Sequence, residues 1–133
     1  MLMDSRETKE KTDKNHSFFE SLSYALEGIQ FAIKNERNLR FQVLAAIVAS
    51  GLAYLLGVSA VEWLILILIY ALVILMEFVN TIAEWTIDLV TNNSYHPIAK
   101  HVKDVAAGGV LIAALLAILV GAIIFVPKII ALF

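Results

Sequence analysis

The chain has 133 residues, 60% of them hydrophobic, with a mean hydropathy of +0.82 and a formal net charge of −2. A soluble domain of this size has no use for so much apolar surface, so the chain reads as an all-α membrane protein. It contains no cysteine, which excludes a disulfide framework, a thiolate metal site and a cysteine nucleophile. Seven of the ten basic residues precede Phe41, a bias that speaks to membrane topology and not to nucleic acid.

Residues 1–16 are polar, mixed in charge and without an apolar stretch, so a mobile cytoplasmic tail is expected there and a cleaved signal peptide is not. An amphipathic surface helix is predicted over about residues 17–36, because Phe18, Leu22, Ala25, Ile29 and Ala32 recur at helical spacing. Ser17 and Glu20 form a capping box at its start. The basic cluster Lys34, Arg37 and Arg40 at its end suits a helix lying on a membrane. From there on the chain is a single membrane domain.

Three membrane spans are predicted, at about residues 39–57, 61–88 and 103–126, each near the roughly 20 residues that a bilayer crossing needs. "VSA" between the first two leaves room only for a tight antiparallel turn, whereas Asp88 to Asp104 reads as a longer polar connection containing "TNNSYHP". Positive charge assigns the N-terminus and this connection to the cytoplasm and the C-terminus to the outside, with "VPKIIALF" as an interfacial tail.

The second span ends unusually. Fourteen apolar residues from Trp63 to Met76 run into "EFVNTIAEWTID", which carries three carboxylates, an Asn and two Thr. If Trp63 marks the outer interface, a rise of about 1.5 Å per residue puts Glu77 about 21 Å and Glu84 about 31 Å inward, against a hydrocarbon core of about 30 Å. At about 100° per residue, Glu77, Asn80, Thr81, Glu84 and Asp88 fall within about 60° of one direction. An ionised carboxylate facing lipid costs roughly 2.5 to 3.5 kcal/mol even on lenient scales, so this stripe must face protein, water or a cation. Asn80 and Thr81 alone would suit an interhelical hydrogen-bond seam. Two like-charged glutamates on one face suit it poorly.

At the start of the third span, "AKHVKD" places Lys100, Lys103 and Asp104 on one helical face, and Glu36 precedes the first span on the same side. Magnesium uses one or two carboxylates together with substrate phosphates, and phosphoryl transfer needs positioning, charge neutralisation and sometimes a base. This membrane face holds all of them. No Gly-rich phosphate loop of the Walker type is present, and "AAGG" at Ala106 to Gly109 reads as a close-packing stretch of a span. His16, His96 and His101 lack zinc-site spacing, and His96 before Pro97 reads as part of a loop that touches nucleotide. Tyr24, Trp63 and Trp85 read as interfacial or packing aromatics.

The motif from Glu77 to Asp88, the run "SYHPIAKHVKDVAAGGVL" from Ser94 to Leu111 and "NERN" at Asn35 to Asn38 resemble the small integral-membrane diacylglycerol kinases of prokaryotes, in a form similar to the Gram-positive undecaprenol kinase branch. The resemblance implies a homotrimer of three-helix subunits in the bacterial plasma membrane, each subunit with a surface helix, and active sites shared between neighbours and facing the cytoplasm. It also implies Mg2+ and ATP, with a lipid alcohol as acceptor. It assigns Glu77 as catalytic base with Asn80 beside it, Glu36 and Glu84 as magnesium ligands, and Lys103, Asp104, Tyr24, Tyr95 and His96 as nucleotide contacts. Lys103 would also offset charge during transfer. Family members usually read Asn-Ser/Thr-Ala-Ile-Glu, where this chain has Ile82 followed by Ala83, and the arginine of some relatives near Ser17 has no counterpart.

The preferred function is therefore ATP-dependent phosphorylation of undecaprenol, with diacylglycerol as the alternative acceptor. Two readings of other classes remain at this point. The stripe would also suit a small oligomeric ion or proton pathway, and a structural membrane subunit would use the acids in assembly only.

Overall fold

The computed structural model describes residues 17–133, so the expected N-terminal tail and His16 lie outside the described residues. Four helices make up the described chain: α1 (Phe18–Asn35), α2 (Arg37–Leu55), α3 (Ala60–Thr91) and α4 (Pro97–Ile130). The last three are long and apolar enough to cross a membrane. Packing divides the chain between Phe31 and Ala32, and the unit from Ala32 to Phe133 holds all three candidate spans.

α1 starts where Ser17 Oγ accepts the backbone N–H of Glu20 at 3.3 Å, satisfying one of the amides that a helix start leaves open. Its apolar side chains, among them Phe18, Phe19 and Leu22, stay exposed, and the Phe18 and Phe19 rings meet edge to face with centroids 5.8 Å apart. A large exposed apolar stripe of this kind suits a helix that lies in a lipid interface. Its end is capped from the next helix, where Arg40 Nη1 donates to the carbonyls of Ile33 (3.0 Å) and Lys34 (2.7 Å). A guanidinium at a helix C-terminus satisfies open carbonyls and opposes the negative end of the helix dipole. Only Glu36, with extended backbone, separates α1 from α2.

The turn between α2 and α3 is tight, as the short "VSA" link requires. Gly57 adopts φ of +63°, a left-handed conformation that glycine takes without steric cost. Ser59 then caps α3 in a full capping box: Ser59 Oγ accepts the N–H of Glu62 at 3.2 Å, and Glu62 Oε2 accepts the N–H of Ser59 at 2.7 Å. Lys128 near the end of α4 pairs with the same Glu62 oxygen at 3.1 Å. Beneath this clasp Ala53, Val58, Leu66 and Ile124 form the apolar core, with Trp63 and Phe125 packed against it.

One expectation is corrected at the helix ends. The connection between α3 and α4 is only residues 92–96, because Asn92 and Asn93 both take left-handed backbone and stop α3 abruptly. α4 restarts at once, with His96 Nδ1 accepting the N–H of Ile98 at 3.1 Å and Pro97 in the first turn, where its missing N–H costs nothing. Asp88 and Lys103 are thus helical residues and not loop residues. At the other end α4 runs through Pro127 to Ile130, so most of the expected interfacial tail is helical. α3 and α4 approach closely at Gly109, where a Cβ would stand 2.5 Å from Met76 Cε.

Candidate functional site

The acids of α3 are where a helical stripe puts them, and the helix pair α2/α3 encloses the deepest of them. Glu77 is 1% exposed and Asn80 7%, the two buried polar residues among the described ones, while Thr81, Glu84 and Asp88 are partly buried. A buried carboxylate needs hydrogen bonds, and Glu77 Oε2 accepts one from Gln42 Nε2 of α2 at 2.9 Å. Asn80 Nδ2 donates to Glu84 Oε1 one turn further on at 3.3 Å. Glu36, at the head of α2, accepts from the indole N–H of Trp85 at 3.2 Å. Glu84 lies two helical turns beyond Glu77 on the same side of α3, and the Trp85 bond ties Glu36 to that part of the helix. Among the described residues no Lys, Arg or His pairs with any of the three glutamates.

Like charges gathered in a membrane protein without a counter-ion are costly, and a cation is the cheapest remedy. The donor set fits magnesium. No group of three or more acidic, His or Cys residues that could hold a metal occurs among the described residues, but magnesium characteristically takes only one or two protein carboxylates and fills its shell with water and substrate phosphate. Glu36 and Glu84 are the two carboxylates that could hold such an ion, and Asn80, bonded to Glu84, has its Oδ1 buried with no partner of its own. An orphaned carbonyl oxygen is a hard ligand or acceptor in waiting.

One turn beyond Glu84, Asp88 opens onto a groove of about 430 Å³ whose walls include Tyr95, His96, Lys100, Lys103 and Asp104. Lys103 Nζ binds Asp88 Oδ1 at 2.5 Å, and Lys100 pairs with Asp104 across one turn of α4. Lys103 and Asp104, both expected as nucleotide contacts, thus each have a partner within the chain. Nor does the structure bring Lys103 to the presumed base: Asp88, which holds it, lies about 16 Å along α3 from Glu77. The site has two parts, a carboxylate cluster between α2 and α3 and a mixed-charge groove at the α3/α4 turn. Tyr24 belongs to α1, before the division of the chain at Phe31, and is largely exposed.

Sequence reasoning missed Gln42 and Trp85. A signal for Gln42 existed, since it is a lone amide within an apolar run and the argument applied to the α3 stripe applies to it equally. Trp85 carried none, because its partner is 49 residues away.

Comparison with known proteins adds the following. The family described as prokaryotic diacylglycerol kinase matches residues 23–125. The chain is 35% identical to the undecaprenol kinase of Bacillus subtilis over 122 residues, which is 92% of this chain and 98% of that protein. It is 37% identical to the diacylglycerol kinase of Synechocystis over 112 residues, 84% of this chain and 64% of that protein. Against the Helicobacter pylori diacylglycerol kinase the identity is 34% over 94 residues, 71% of this chain and 73% of the relative.

Proposed function

Since the chain belongs to the prokaryotic diacylglycerol kinase family and is a multi-pass membrane lipid kinase, we propose that it phosphorylates the hydroxyl of undecaprenol with ATP at the cytoplasmic face of the bacterial plasma membrane. The observation that carries the reading is the trio Glu36, Glu77 and Glu84, gathered at one end of α2 and α3 without a cationic partner among the described residues. Undecaprenol is favoured as acceptor by the similarity to the Bacillus subtilis enzyme over nearly its whole length. Diacylglycerol is the second candidate, favoured by the name of the Synechocystis relative.

In this mechanism Glu77 takes the proton of the lipid hydroxyl as that oxygen attacks the γ-phosphorus, and ADP leaves. Its place within the candidate span puts it at the depth of a lipid acceptor. Glu36 and Glu84 would hold magnesium, which when bound neutralises and orients the phosphates. Asn80 fixes Glu84 and offers its free carbonyl oxygen to the same space. The nucleotide would occupy the groove at the α3/α4 turn, with Lys103 turning from Asp88 to the phosphates and Asp104, Tyr95 and His96 around it. A homotrimer, with each site shared between neighbours, would bring further groups to the polar atoms that one chain leaves without partners, Gln42 Oε1, Tyr70 Oη and Asn80 Oδ1.

The deciding experiment mixes undecaprenol and diacylglycerol in vesicles containing the purified protein and follows label from γ-phosphate-labelled ATP. Faster labelling of undecaprenol is expected. Preferential labelling of diacylglycerol would move the assignment to the second acceptor.

A further inference from the structure

The carboxylates of this site are oriented by neutral donors, and two of these donors cross between helices in opposite directions. Gln42 on α2 donates to Glu77 on α3, and Trp85 on α3 donates back to Glu36 at the head of α2. The two bonds are about 9 Å apart along α2 and about 12 Å apart along α3. Two such rungs set both the spacing of the helices and their sliding register. One bond alone would leave a pivot.

Three details argue that the pair serves chemistry and not only packing. Glu36 occupies the N-cap of α2 with extended backbone, the position from which an acidic side chain ordinarily accepts a helix N–H, yet it makes no capping bond. Its oxygen is bound to the Trp85 indole instead. Both donors are uncharged, so they orient a carboxylate without neutralising it and do not compete with a cation, as a lysine or arginine would. Finally, the Gln42 amide has its carbonyl oxygen buried and without a partner. Within one chain the amide's single hydrogen bond is thus the one that directs the Glu77 carboxylate.

We propose that Gln42 and Trp85 are positioning residues for phosphoryl transfer: Gln42 aims the Glu77 carboxylate at the lipid hydroxyl, and Trp85 fixes Glu36 for the divalent cation. This rests on the functional reading given above. Removing an outer partner of this kind typically costs about 10- to 100-fold in metal affinity or activity.

The test uses the full chain in lipid vesicles. Gln42→Met keeps length and volume but not the donor; kcat falls about 10- to 100-fold while KM for ATP and lipid stay within about twofold. Trp85→Phe keeps a ring but not the N–H. It raises the Mg2+ concentration for half-maximal rate by about tenfold or more, and kcat recovers at saturating Mg2+. Thermal unfolding and oligomer size stay at wild-type values in both. A readout free of turnover comes from the chain's two tryptophans. In a Trp63→Phe background, Trp85 emission changes saturably when Mg2+ and a non-hydrolysable ATP analogue are added, and Glu36→Gln removes the change. Wild-type kcat in Gln42→Met, or losses that merely track the amount of folded protein, would overturn the role of Gln42. Trp85 emission indifferent to Mg2+ would overturn that of Trp85. Wild-type protein that labels neither lipid would instead sink the functional reading, and the Trp85 titration would still decide whether Glu36 is gripped for a metal.

Discussion

α3 carries one glutamate in its first turn and two more in its second half, and the two groups are treated in opposite ways. Glu62, in the first turn, accepts the Ser59 backbone N–H within the capping box and pairs with Lys128 where the chain turns. Glu77 and Glu84 have amide donors but no cation, and Glu36 joins them with only an indole. A carboxylate with a cap and a counter-ion closes a turn. A group of carboxylates with neither counter-ion nor room to separate stores an affinity for something positive, and that is the difference between Glu62 and the glutamates further along the same helix.

Substitutions that exchange charge for shape test this contrast. Glu77→Gln should have the largest effect, a loss of phosphate transfer of about 100- to 10,000-fold, with nucleotide binding retained in a filter or calorimetric assay. Turnover at the wild-type rate would remove the assigned base. Glu84→Gln should come next, weakening binding of the metal nucleotide by about 100-fold, as losing several kcal/mol of charge stabilisation demands. Equal Mg2+ titration curves for variant and wild type would contradict it. Lys103→Ala should raise KM for ATP by about tenfold, the usual worth of one charge-assisted hydrogen bond, and change kcat less. A kcat effect without a KM effect would move Lys103 from the groove to the reacting centre. At the other end of α3, Lys128→Met should lower the thermal midpoint slightly and leave specific activity intact. Lost activity at full stability would erase the distinction between the two ends.

Much of this could be read from the residues because the membrane simplifies the problem. A carboxylate that cannot face lipid reveals its own orientation, so the stripe from Glu77 to Asp88 announced a site before any packing was known. The all-helical architecture with three candidate spans followed from apolar runs of bilayer length. Helix ends were harder, since they depend on a few local bonds: two left-handed asparagines and the His96 cap shrank the expected connection to five residues. Pairings were hardest. That Lys103 chooses Asp88, and that Gln42 and Trp85 reach Glu77 and Glu36, depends on which helical faces meet, and helical periodicity does not contain that information.

The lengths of α3 and α4, 32 and 34 residues, mean that each is close to 50 Å long by the usual rise of about 1.5 Å per residue, whereas the oily layer is about 30 Å thick. Because Lys128 meets Glu62, the two rods are pinned level at that end, and their surplus emerges together at the opposite one. A hydrocarbon layer of that thickness that begins at the Glu62 end would leave residues 92–96 and the flanking turns beyond it, on a short pier. On the proposed reading, such a pier would give a soluble triphosphate a docking place outside the oily layer, from which its terminal phosphate would reach inward to the acceptor's hydroxyl beside Glu77.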